Sequence, residues 1–259
     1  MKKPVKNALA LFFDLAAASL STGFCAKGAV YDFEDDAEGT TENFPAPNSS
    51  PPSTPKNNND SLEKIAKDVC ACSACKLGAG RKNAVPGEGV PHPLVLVVGE
   101  GPGADEDASG RPFVGPAGQK LDEMLASIGL SRSKNCFIAN IVKCRPPGNR
   151  DPESDETRLC MRFLERQIDL LQPLLILSAG RTSTANLLQT GEGITRLRGI
   201  WKSFRGIPLL PTFHPSYLLR DPNQKKFAWE DMKSLCRRLA ELNPQYEAET
   251  GALRAARKI

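Results

Sequence analysis

Between residues 94 and 242 the chain alternates short apolar runs with longer stretches in which apolar side chains recur every three or four positions. The runs 94–98, 136–142, 174–177 and 207–211 read as buried strands, the first β-branched and closed by Gly99. The stretches 117–128, 152–171, 180–188 and 224–242 carry a helical period. In the first of them Leu121, Met124, Leu125 and Ile128 form one stripe that stops at Gly129; in the second Asp151 stands as N-cap before Pro152. A shorter helical stretch opens at Ser61 and leads to Cys70. Strands alternating with helices of this length predict an α/β fold, a parallel sheet covered on both faces. Ligands of such sheets bind beyond the carboxyl ends of the strands. Three of the four predicted ends carry unusual residues: Gly99-Glu100-Gly101-Pro102-Gly103, Asn140 with Lys143-Cys144-Arg145, and Phe213-His214-Pro215-Ser216.

The pattern is different before residue 61. In the first 25 residues Leu9, Phe12, Phe13, Ala16 and Leu20 share one helical face, and Asp14 interrupts what would otherwise resemble the apolar core of an export signal. An N-terminal amphipathic helix over 1–28 is the expectation. Residues 29–60 are acidic and rich in proline, serine and asparagine without a hydrophobic period, which predicts a disordered linker. A catalytic domain is expected over 61–245 and a basic tail over 246–259. At 259 residues the chain supports one well-cored domain with tails.

Charge sharpens this division. Residues 31–60 hold seven acids against Lys56 alone, so the rest is more basic than the net charge of +4 suggests. A body this basic suits a polyanion such as nucleic acid. No apolar run reaches the ~20 residues of a membrane-spanning helix.

Eight cysteines stand at 25, 70, 72, 75, 136, 144, 160 and 236. A disulfide framework belongs to small secreted domains. Cys72 and Cys75 form a Cys-x2-Cys pair, and Cys144 and Cys160 would complete a four-thiolate shell; on spacing, zinc and an iron–sulfur cluster are equally open. Cys70 is a substitute for Cys72 in that pair.

Taken in order, Cys72-Ser-Ala-Cys75, Gly99-Glu-Gly-Pro-Gly-Ala-Asp-Glu-Asp107, Gly110-Arg-Pro-Phe-Val-Gly-Pro-Ala-Gly118, Asn140-Ile-Val-Lys-Cys-Arg-Pro-Pro147, Cys160 and His214-Pro-Ser-Tyr-Leu-Leu-Arg220 resemble the iron–sulfur family 4 uracil-DNA glycosylases over about residues 61–242. The resemblance implies a three-layer α/β/α sandwich around a four-stranded, mainly parallel sheet. It also implies a [4Fe–4S] cluster on Cys72, Cys75, Cys144 and Cys160, and a monomeric cytoplasmic enzyme that hydrolyses the N-glycosidic bond of deoxyuridine in single- or double-stranded DNA.

Each motif suits that chemistry. A glycosylase takes its target base out of the stack and stabilises charge as the base leaves. Phe113 resembles the aromatic that stacks on the flipped base, Asn140 the amide that reads the uracil edge, and Gly101 lets backbone approach the base. His214 resembles the imidazole facing uracil O2, where negative charge gathers. Glu100 and Glu106 are the acidic candidates for the sugar and the attacking water. Lys143, Arg145, Ser216 and Arg220 are expected to grip phosphates. Leu218 and Leu219 resemble the apolar wedge that fills the gap left by the nucleotide. Gly101 stands where alanine is common, and no basic insertion follows Phe113-Val114-Gly115, so turnover is expected and not a trapped adduct. The alternative class is a DNA-binding or redox-sensing module that keeps the cluster without catalysis.

Overall fold

Ser61 starts the first helix of the described residues because its hydroxyl accepts the Lys64 backbone N–H at 3.1 Å, capping helix α1, Leu62–Ala71. The computed structural model of the chain describes residues 60–251, all within one unit of the chain, Lys56–Ile259. The expectations for residues 1–28 and for almost all of 29–60 lie outside the described residues. After α1 come a single turn α2 (Leu77–Gly80), β1 (Glu88–Gly89), β2 (Val95–Gly99), α3 (Ala104–Ser109), α4 (Pro116–Ala126), β3 (Cys136–Asn140), α5 (Ser154–Leu171), β4 (Leu175–Ala179), α6 (Arg181–Leu188), α7 (Ile194–Leu197), β5 (Lys202–Phe204), β6 (Ile207–Thr212), α8 (Pro215–Arg220), α9 (Lys225–Leu242) and α10 (Pro244–Thr250).

The four predicted strands form the parallel centre of one sheet, ordered β1-β3-β2-β4-β6-β5. β2 is buried at every position, and its neighbours alternate between the faces. Val95 and Val97 join the core beneath α4, α8 and α9, whereas Leu96 and Val98 join the core beneath α1 and α5. Helices on both faces make the expected three layers. Among the described residues no helix is long and apolar enough to cross a membrane.

The sheet has six strands, not four. The additional β1 and β5 are short, antiparallel and on the edges, and neither buries a side chain fully, so neither carries an apolar period. Arg205 and Gly206, both at positive φ, turn β5 into β6 as a two-residue hairpin loop. Two boundaries also move. Helix α5 starts at Ser154, not at Pro152: the Glu156 carboxylate accepts the Glu153 backbone N–H at 2.8 Å, while Asp151 pairs with Arg181 and caps nothing. The folded domain does not stop at residue 245, because Tyr246 in α10 is 1% exposed and its hydroxyl donates to the Ile128 carbonyl.

Truncating Tyr246 to alanine is therefore expected to cost about 3 kcal/mol, as for other buried aromatics. Urea denaturation should show a lower midpoint with an unchanged slope; an unshifted midpoint would mean that α10 is not part of the cooperative core.

Candidate functional site

The carboxyl ends of the four parallel strands open into a cleft of about 710 Å³. Glu100 and Gly101 enter it from β2, Asn140 from β3, Gly180, Arg181 and Thr182 from β4 and α6, and His214, Ser216 and Arg220 from β6 and α8. Phe113 and Glu106 join from the segment between β2 and α4.

Strand register brings the first pair together. Gly99 lies opposite Asn140 in the β2–β3 ladder, and a Cβ on Gly99 would come 2.4 Å from Asn140 Oδ1 and 2.5 Å from Phe113 Cζ. Only glycine fits between the amide and the ring. Asn140 is 1% exposed, and its Oδ1 is the one buried side-chain oxygen or nitrogen among the described residues that meets no hydrogen-bond partner. Such an atom costs about 1–3 kcal/mol unless a ligand supplies a donor.

Phe113 sits at φ +52, in the left-handed region that bulky side chains avoid, so its surroundings must hold it there. Glu106 provides much of that hold. Its Oε1 accepts the backbone N–H groups of Val114 and Gly115 at 2.9 and 3.1 Å, and its Oε2 accepts that of Gly103 at 3.0 Å. Arg132 donates to the carbonyls of Pro112 and Phe113, both at 2.9 Å. Gly118 completes the seat, since a Cβ there would lie 1.9 Å from the Phe113 carbonyl oxygen. With both oxygens engaged by backbone, Glu106 is a brace for the aromatic.

The ring of His214 lies 5.7 Å from that of Phe113, centroid to centroid, inclined by 33°. Gly180, at φ +95, allows this, because a Cβ there would come 2.8 Å from His214 Cβ. His214 Nδ1 accepts the Ser216 backbone N–H at 3.2 Å and stands 2.7 Å from the Ser216 hydroxyl. Acceptance at Nδ1 leaves the ring proton on Nε2. Burial, helped by the positive charge of Arg220, pulls the His214 pKa down to about 4, so the imidazole is neutral near pH 7. Burial raises Glu100 above its ordinary value, and a hydrogen bond with Thr182 partly offsets this.

Of the residues predicted from sequence, Glu100, Gly101, Glu106, Phe113, Asn140, His214, Ser216 and Arg220 line the cleft. Three of the expected DNA contacts do not. Lys143 is 1% exposed, and its ammonium donates to Gln167 Oε1 at 2.7 Å, so it cannot grip a phosphate. Burial lowers its pKa to about 8. Leu218 is 1% exposed in the core, because α8 turns that side inward and leaves Leu219 outside at 43%. Arg145 stands off the cleft and donates to Asn149 Oδ1 at 2.7 Å. Sequence reasoning missed Arg132, Thr182, Arg181, Ile194 and Thr195; none of them belongs to a pattern that marks chemistry before the loops are folded together.

Cys72, Cys75, Cys144 and Cys160 line a second, smaller cavity between α1, α5 and the segment after β3. Cys70 is exposed, and Cys136 and Cys236 are buried in the opposite core, so the predicted four are the ones that share a space. Burial raises the thiols of Cys144 and, to about 11, of Cys160, with the neighbouring cysteines adding to both. Around a single zinc, sulfurs approach to about 3.8 Å. Among the described residues no three His, Cys, Asp or Glu side chains close to the spacing of one ion. Four thiols lining one cavity are the donor set of a four-thiolate metal or iron–sulfur centre.

If Glu106 is the brace of the Phe113 loop, Glu106→Ala should speed amide hydrogen exchange at Val114 and Gly115 by about tenfold or more, a loss of ~1.4 kcal/mol. Unchanged protection at both amides would remove that role.

Residues 86–233 match the family model described as Uracil DNA glycosylase superfamily. The chain is 48% identical over 185 residues to the type-4 uracil-DNA glycosylase of Sulfurisphaera tokodaii, an overlap of 68% of this chain and 84% of that protein. Identity to the type-4 uracil-DNA glycosylase of Saccharolobus solfataricus is 43% over 185 residues, covering 68% and 85%, and to that of Thermotoga maritima 40% over 178 residues, covering 66% and 91%. Fold, cleft and comparisons agree: the chain belongs to the uracil-DNA glycosylase superfamily and, within it, to the type-4 uracil-DNA glycosylases.

Proposed function

We propose that this cleft removes uracil from DNA, hydrolysing the N-glycosidic bond of deoxyuridine to leave an abasic site. The observation that carries the reading is the buried, unsatisfied Asn140 Oδ1 beside the Phe113 ring and the His214 imidazole.

A uracil turned out of the helix supplies the missing donor. Its N3–H points to Asn140 Oδ1, its O4 accepts from the amide N–H, and its face lies on Phe113, a contact worth about 1–3 kcal/mol. Cytosine offers a donor at C4 and a bare N3, leaving both amide groups unpaired, and is rejected. The Nε2–H of neutral His214 faces O2 and stabilises the negative charge that gathers as the bond to the sugar breaks. Glu100 stands at the sugar side, where its carboxylate stabilises the oxocarbenium-like sugar and aligns water. Arg220, Ser216 and Arg181 hold phosphates at the rim, and the exposed Leu219, in place of Leu218, is the apolar wedge. Cys72, Cys75, Cys144 and Cys160 would hold the [4Fe–4S] cluster, which when bound cross-links the segments carrying them. The protein works as a monomer in the compartment that holds DNA.

Incubation with a uracil-containing oligonucleotide, followed by strand cleavage at abasic sites, tests the reading; intact DNA in both single- and double-stranded form would reject it. His214→Ala is expected to lower turnover about 100- to 1000-fold with DNA affinity little changed. Equal losses in both would make His214 a binding residue.

The pH profile separates Glu100 from His214. His214 is in its working, neutral form above about pH 4, and Glu100 ionises above its ordinary 4.5. The acid limb of kcat/KM therefore belongs to Glu100 and lies above pH 4.5. Glu100→Gln should lower the rate about a hundredfold and flatten that limb; a limb that persists unchanged would assign it to another group.

A further inference from the structure

Three cations converge on the four cysteines, and none of them lines the cleft. Arg81 Nη1 donates to Cys144 Sγ at 3.1 Å, and its Nη2 donates to the carbonyl of Cys70, two residues before Cys72. One guanidinium thus ties the Cys72–Cys75 segment to Cys144. Beside it Gly78 packs closely on the Cys72 carbonyl oxygen, which a Cβ there would approach to 3.1 Å. From the outer side Arg162 Nη2 approaches Cys72 Sγ to 3.7 Å, while its guanidinium stacks 4.7 Å over the Phe163 ring. Lys143 is fully buried against a neutral amide oxygen, and its backbone N–H donates to Cys160 Sγ at 3.3 Å. Among the described residues no carboxylate pairs with any of the three. A buried cation with a neutral partner is costly unless an anion lies nearby. As ligands of a bound cluster, the four cysteine sulfurs would be those anions.

We propose that Arg81, Arg162 and Lys143 form a cationic collar for the four-cysteine centre, with Arg81 as its principal positioning residue, that sets how readily the cluster takes up one electron. This rests on the cluster reading above. With four thiolate ligands the oxidised [4Fe–4S] centre is a dianion, and one electron from an electrode makes it a trianion. Fixed cations favour the trianion, and an N–H donor on a ligand sulfur acts in the same direction. Removing them makes reduction harder.

The test uses the full-length protein as purified without oxygen, with Arg81→Gln, Arg81→Lys and Arg162→Gln beside it. Iron and labile sulfide are counted first, at an expected ~4 each per chain. A native protein without iron ends the cluster reading itself; native iron with an unmoved potential ends only the collar. By protein-film voltammetry, Arg81→Gln is expected to disfavour reduction about tenfold, a shift of about 59 mV to more negative potential for a one-electron couple. Arg81→Lys should fall between it and the native protein, and Arg162→Gln should shift in the same direction by less. Uracil excision by the iron-loaded variants should keep the native rate. If Arg81→Gln fails to hold iron, Arg162→Gln and Arg81→Lys decide: native potentials in both overturn the proposal, and negative shifts support it.

Discussion

The cleft depends on one close approach, where the β2–β3 register sets Gly99 against Asn140 and leaves a buried amide oxygen beside an aromatic ring. A side chain at residue 99 would push ring and amide apart, so the absence of a Cβ there is what lets both touch one flat ligand. The arrangement is costly in the free protein, with an unsatisfied oxygen and a phenylalanine held at positive φ. The surroundings offset it: Glu106 and Arg132 take the backbone groups around Phe113, and Ser216 fixes the imidazole that completes the set.

A second centre shares a segment with the first. From Asn140 in the cleft the chain runs through Cys144 in the cysteine cavity and returns to the cleft rim at Asn149, Arg150 and Asp151. Buried Glu156 accepts two bonds from Arg150 at 2.8 and 2.6 Å and lies 4.0 Å from Lys76, next to Cys75. The four cysteines thus anchor the loop that forms one wall of the cleft. A cluster held by them would brace that wall from outside the cleft.

The fold was legible where burial imposes a period. The four central strands are apolar at nearly every position, and their order with the helices left one architecture open. The edge strands were not legible, because Glu88–Gly89 and Lys202–Phe204 bury too little to show a pattern. Phe113, Asn140 and His214 stood out through the motifs that resemble the family, and Asn140 and His214 also through their places at strand ends. What failed was side-chain direction. Lys143 looked like a phosphate ligand beside Arg145 but points into the core, and Leu218 and Leu219 are told apart only by the turn of α8. Glu106 reads in sequence as a candidate for the sugar or the attacking water, and only the folded loop shows three backbone N–H groups on it.

One pyrimidine is to satisfy ring, amide and imidazole together, and a crystal structure of the protein with free uracil bound tests this most directly. The expected result is uracil stacked on Phe113, with N3–H on Asn140 Oδ1 and O2 toward His214 Nε2. Uracil bound elsewhere, or bound in the cleft with Asn140 Oδ1 still unpaired, would contradict it.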